Sequence, residues 1–213
     1  MMNLSPRTIL HLSISTLTVL LTGLCLFVWA RGVGSNPTLY DIFPVFGLLA
    51  FSFMALHYIG GSLKRSLGLA GDERALKTYF TITSYVVLLL ILAHPALLYI
   101  GLYQDGLGLP PLSSFQVYPQ TAARVALVMG SVSLTAFLLF ELRRWFREKS
   151  WWKFVEYASV AAMVLIFVHS LILGGDLMTG WFRLVWIVLG WATAFSITYN
   201  YWFDRNAQKG ENS

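Results

Sequence analysis

The chain has 213 residues, of which 57% are hydrophobic and only 12% charged. A soluble domain carries about a quarter charged residues, so this composition excludes an ordinary water-soluble globule: too little polar sequence is present to coat an aqueous core. The net charge of +5 comes from basic residues in short segments between apolar runs, a pattern that points to membrane orientation rather than nucleic acid, and the single cysteine, Cys25, excludes an intramolecular disulfide.

In chain order, six apolar runs are long enough to cross a hydrocarbon core of about 30 Å, which takes roughly 20 helical residues. They fall near Ile9–Ala30, Ile42–Gly61, Thr78–Ile100, Ala122–Leu142, Phe154–Gly174 and Trp181–Phe203. The runs are continuous and lack strand alternation, so the predicted fold is all-α: a single polytopic bundle of six transmembrane helices over residues 1–213. The first run follows Arg7 and ends near Val28-Trp29-Ala30, which resembles a cleavage site. Its apolar core exceeds a secretory signal's usual 7–15 residues, so a retained helix is expected. No repeat is evident. The sizeable non-membrane pieces are the Gly- and Pro-rich segment 101–121 and a polar tail over 204–213.

Orientation follows from the basic residues. Twelve of the fifteen, including Lys64, Arg65, Arg74, Lys77, Arg143, Arg144, Arg147, Lys149 and Lys153, fall on one side, against Arg31, Arg124 and Arg183 on the other. The positive-inside rule predicts that both termini are cytoplasmic.

Ionisable groups inside a membrane are costly, so each is a functional candidate. Here they are His11, His57, His94, Glu156 and His169. His94 lies 17 residues beyond Lys77, and His169 lies 16 beyond Lys153, on two helices that run in the same direction. At about 1.5 Å per residue, both imidazoles sit roughly 24–26 Å from the basic edge, at matched height. Two neutral imidazoles at one depth are what a six-coordinate haem iron requires. Ser84, Ala93, Gly130, Ala161 and Ala162 are small and leave room for a macrocycle, and Pro95 frees the carbonyl of Ile91 beside His94. The alternative for either histidine is a polar residue hydrogen-bonded between helices. The chain has no C-x-x-C-H, so any haem is expected to be non-covalent, of b type. It also has no glycine fingerprint for a nucleotide, so a reductant must come from another protein or from quinol.

The run from the second helix to the fifth resembles the ferric-reductase-type transmembrane domain, and within it the MsrQ (YedZ) branch of haem-bearing membrane subunits. The resemblance spans about residues 40–175. It rests on Gly47 followed by Ser62-Leu63-Lys64-Arg65, on the helix ending at His94, on Tyr118-Pro119, and on Trp152-Lys153-Phe154-Val155 leading to His169. It implies a bacterial inner-membrane protein that takes electrons from a cytosolic flavin reductase or quinol and passes them through haem b to an extracytoplasmic redox partner. His94 and His169 carry over as iron ligands. The family often has a second histidine thirteen residues before each of these. This chain has Thr81 and Glu156 there, so the usual inner pair is missing.

His57, near the basic end of the second helix, partly answers that gap. It is a candidate to bind an inner haem with an unusual partner such as His11, or to line a quinone pocket. The plainer readings are a helix-end role for His57 beside Lys64 and Arg65, an interfacial role for His11, and an interfacial anion for Glu156. Trp145, Trp151 and Trp152 on one side, with Tyr99, Tyr103 and Trp181 on the other, read as aromatic belts. Trp186, Trp191, Tyr199, Tyr201 and Trp202 read as lipid-facing packing. Two rivals to the electron relay stand beside it: a cofactor-free membrane anchor or assembly subunit, and a transporter. The second is disfavoured because no paired broken helices mark an inverted repeat.

Overall fold

A computed structural model describes residues 5–69, 74–178 and 180–211. Among them the structure is all helix and turn. Six helices are long and apolar enough to span a membrane: α1 (Pro6–Gly32), α2 (Leu39–Ser66), α3 (Arg74–Gln104), α5 (Thr121–Glu141), α7 (Trp152–Leu173) and α8 (Trp181–Glu211). Two short helices, α4 (Leu112–Val117) and α6 (Arg143–Phe146), lie in the connections. The protein is an integral, multi-pass membrane protein. Its outward faces carry large apolar side chains, such as Val19, Leu89 and Trp191, more than two-thirds exposed. In water that exposure would be prohibitive, whereas lipid solvates it without cost.

The helices overrun most of the apolar runs because hydropathy marks the hydrocarbon core, while backbone hydrogen bonding continues into the interface. Local chemistry sets the ends. Ser5 accepts a hydrogen bond from the Thr8 N–H, with Pro6 at the first helical position. The Asp41 carboxylate accepts from both the N–H and the hydroxyl of Thr38 at the start of α2. The largest difference from expectation is at the C-terminus, where α8 carries the polar segment from Asp204 to Glu211 as continued helix. Segment 101–121 also contains α4, which the Gly and Pro content concealed.

Helix α2 is the hub, packed against α1, α3, α7 and α8, whereas α5 packs chiefly against α7. Phe51, Trp186, Leu189 and Met163 centre the main apolar core. Trp186, expected to face lipid, is 1% exposed; its indole N–H donates to Ser170 Oγ at 2.9 Å, and its ring lies 5.0 Å from that of Phe51. Trp152, expected in the interfacial belt, is likewise buried against Phe140. Both rings have helical neighbours that no composition-based reading reveals. A polar clamp ties α2 to α8. The Asn200 amide donates to the Tyr58 carbonyl at 3.1 Å and accepts from Ser62 Oγ and Arg65 Nη1, each at 3.1 Å, while Arg65 forks onto Asp204.

The α2–α3 and α5–α7 hairpins form the halves of a quasi-repeat in residue spacing. Gly47, Phe51, Met54 and His57 on α2 correspond in spacing to Gly130, Leu134, Phe137 and Phe140 on α5. Ser84, Ile91, His94 and Leu98 on α3 correspond to Ser159, Ile166, His169 and Leu173 on α7. Five of these eight pairs are identical, yet no fixed period is evident in the sequence, because the offset between partners differs between α2/α5 and α3/α7. Between the halves, α3 and α5 barely touch, and this seam contains the cavities.

A candidate cofactor site between two hairpins

The half of the seam away from the basic end, called the outer half, holds a cavity of about 360 Å³ lined by both His94 and His169. This lies within the range of about 300–1,000 Å³ typical of ligand sites, and its remaining wall is almost wholly apolar. The ring centres are 6.4 Å apart, with planes 79° to one another. The matched depth expected from sequence is therefore a direct juxtaposition.

Each imidazole is held in the same way. His94 Nδ1 lies 2.8 Å from the Phe43 carbonyl oxygen, and His169 Nδ1 lies 2.7 Å from that of Ala126. A carbonyl only accepts, so each Nδ1 carries the proton and each Nε2 keeps its lone pair. On a helix, the carbonyl of residue i points toward residue i+4. A ring that reaches the Phe43 carbonyl must therefore cross over Gly47, and one that reaches Ala126 must cross Gly130. A Cβ at Gly47 would stand 2.9 Å from Cε1 of His94, and one at Gly130 would stand 2.8 Å from Cε1 of His169. Both positions admit only glycine without displacement of the ring. Gly47 and Gly130 were each noted in the sequence, but not as notches for these rings. The clue was a glycine on each neighbouring helix, four residues after the carbonyl.

These features fit a metal-centred planar cofactor. A metal held between two imidazole nitrogens at about 2.0–2.1 Å sets the ring centres roughly 6 Å apart, close to the observed spacing. The carbonyl contacts fix the tautomer and ring orientation, as the hydrogen-bond acceptors beside metal-bound histidines do. Ser114 Oγ lines the cavity, is buried, and has no hydrogen-bond partner among the described residues, so it offers a donor to a ligand's acceptor. Among the described residues no group of three or more His, Cys, Asp or Glu side chains gathers as a metal-ion site. Of the small residues expected to make room, Gly130 lines this cavity and Ser84 the inner one. Ala93, Ala161 and Ala162 line neither.

A second crevice, of about 100 Å³, runs from the imidazoles to Tyr118 and Asp176 at the end opposite the basic residues. Burial raises the pKa of both the Asp176 carboxyl and the Tyr118 phenol above their ordinary values.

An inner cavity of about 300 Å³ follows toward the basic end, separated from the outer one by Met54, Ile91 and Phe137, which line both. His57 lines it, as do Ser84 and Ser159, each ten residues before its histidine. His57 is held differently from the outer pair. Its Nε2 is 2.6 Å from Thr83 Oγ1, and the Thr83 hydroxyl is directed to the Tyr79 carbonyl at 2.9 Å. With that hydroxyl proton engaged, Nε2 of His57 donates and Nδ1 keeps the lone pair. The nitrogen left free in His94 and His169 is thus spent in His57. The quasi-repeat places Phe140, not a second histidine, opposite it. His11 is half-buried on α1 and lines neither cavity. Thr81 and Glu156 do not face one another: Thr81 lines a pocket with Lys64 and Lys77, and the exposed Glu156 lines a crevice with Arg65 and Asn200.

Comparison with protein families, with curated proteins and with solved structures finds no match for this chain.

Proposed function

We propose that this chain is a b-type haem membrane protein of the ferric-reductase kind, similar to the MsrQ (YedZ) branch, which relays electrons outward across a bacterial inner membrane. The observation that carries the reading is the paired tautomer: two half-buried imidazoles on opposite hairpins, each pinned through Nδ1 to a backbone carbonyl, share one apolar cavity at a spacing that suits a single iron. Bound haem supplies a one-electron Fe(III)/Fe(II) couple in apolar surroundings.

The chain's own residues supply the rest. Phe43 and Ala126 hold the imidazoles in the ligating tautomer. Gly47 and Gly130 let the rings approach their helices, and Phe51, Ile91 and Ile166 keep water from the centre. Electrons enter from a cytosolic flavin reductase or from quinol. The inner cavity, with the His57 Nδ1 lone pair available to accept a hydrogen bond, suits a quinol better than a second haem. They leave toward an extracytoplasmic redox partner at the end where Pro110, Pro111 and Ser114 close the outer cavity.

The test is spectroscopic. Protein purified in detergent after expression with ample haem is expected to be red, with a Soret band that sharpens and shifts on adding dithionite. Colourless, folded protein would sink this reading and favour a cofactor-free membrane anchor.

A further inference from the structure

Short helix α4 brings an unpaired hydroxyl to the wall of the outer cavity. Ser114 is 5% exposed, lines the cavity, and its Oγ has no hydrogen-bond partner among the described residues. A buried hydroxyl in this state forfeits its hydrogen bonds to water unless a bound molecule restores them. Open volume beside Ser114 allows that restoration. The adjacent Ser113 is equally buried and unpaired, yet it lines neither this cavity nor the crevice beside it.

A positive charge stands behind the same part of the wall. Arg124, in the first turn of α5, lies over the Phe115 ring at 5.9 Å and donates to the Phe115 carbonyl at 3.4 Å. Phe115 lines the cavity beside Ser114. The opposite end of the cavity, closed by Met54, Ile91 and Phe137, offers neither a hydroxyl nor a cation.

We propose that Ser114 binds a carboxylate of the cavity's ligand, a haem propionate, so that the carboxylate edge of the macrocycle faces the outer end. The inference rests on the haem reading above. Outside its metal centre, haem b has polar groups only in a pair of propionates, both on one edge. A carboxylate taken into an apolar cavity is costly unless a donor meets it, and a hydroxyl bonded to an ionised oxygen is one of the stronger hydrogen bonds. Turned the other way, the propionates would meet Met54, Ile91 and Phe137 with no donor among them. Ser114 is thus a positioning residue for the cofactor rather than a ligand of its metal.

The test loads the full chain in detergent with haem or with haem dimethyl ester, whose carboxylates are blocked, and titrates each on the Soret band. Wild type should bind haem about tenfold more tightly than the ester, the scale of a hydrogen bond to a charged group. Ser114→Ala should lose about tenfold in haem affinity, stay within about twofold for the ester, and keep the six-coordinate spectrum. Ser113→Ala should leave the preference for haem unchanged. Removing an unpaired hydroxyl relieves a burial cost, so haem-free Ser114→Ala should melt no lower than wild type. Should that variant fail to fold, Ser114→Cys, with a weaker donor, should show a smaller loss in the same direction. Equal affinity of wild type for the two porphyrins, a preference that survives Ser114→Ala, or an equal loss in Ser113→Ala would overturn this inference and leave the haem reading standing. No Soret band with haem itself would remove both.

Discussion

Gly130 forms the notch that His169 occupies: a Cβ at residue 130 would stand 2.8 Å from both Cε1 and Nδ1 of the imidazole. The notch leads to a prediction in which two effects have opposite signs. By helix propensity alone, glycine to alanine in a helix interior stabilises by about 0.8–1 kcal/mol. If the ring position serves a cofactor, Gly130→Ala and Gly47→Ala should instead displace the imidazoles and lower haem retention severalfold, with broadened spectra. A higher melting temperature with full haem content in either variant would show that the notch is merely a packing detail.

The proposed ligands are tested directly. His94→Ala and His169→Ala should each abolish the six-coordinate low-spin spectrum, while the helical fold persists because an emptied apolar pocket partly collapses. The wild-type protein carries a further signature. If a haem iron is held by this pair, imidazole planes 79° apart would keep the two iron orbitals that interact with them nearly degenerate. The ferric electron paramagnetic resonance spectrum should therefore show one large principal g value. The rhombic signal of coplanar ligands would contradict the observed ring geometry.

The inner cavity should behave differently. Pyridine haemochrome analysis is expected to return one haem per polypeptide, because Phe140, not a second histidine, lines the cavity with His57 at the matching position of the quasi-repeat, and His57 Nε2 is bound to Thr83. His57→Ala should leave the outer spectrum unchanged while slowing reduction by quinol severalfold. Two haems with bis-histidine spectra, or quinol reduction indifferent to residue 57, would reverse the assignment of this cavity.

Asp176 offers a pH-dependent check on the outer crevice. Burial raises its pKa in the folded protein, so folding favours the protonated form. That contribution is present below the unfolded value and is lost as pH rises through the folded one. Asp176→Asn, a neutral mimic, should therefore raise the melting temperature at pH 7 and leave it unchanged near pH 3. A lower melting temperature at pH 7 would mean that the carboxylate is stabilised by a partner.

Orientation is tested with reporters. A fusion after Ser213 should be active only in the cytoplasm, and an insertion within residues 106–109 only outside, given the twelve-to-three division of basic residues. Activity of both on one side would exclude six crossings.

The sequence by itself determined the architecture, because a membrane imposes its constraint locally. Every crossing must satisfy its own backbone and present apolar side chains over about 20 residues, and both requirements are visible without knowing any neighbour. The same locality made the depth of His94 and His169 readable from their distance to Lys77 and Lys153. What only the tertiary structure decided is everything that depends on which helix lies beside which. Trp186 and Trp191 look alike in sequence, yet one is buried against Phe51 and the other faces lipid. The quasi-repeat is carried by Gly47 and Gly130, Ser84 and Ser159, but the offset between partners differs in the two helix pairs, so no fixed period reveals it. His57 and His94 are the same residue type on adjacent helices, but a threonine hydroxyl takes Nε2 of one and a backbone carbonyl takes Nδ1 of the other. Which nitrogen stays free is set by a partner 26 or 51 residues away in the chain, and only packing brings that partner within hydrogen-bonding distance.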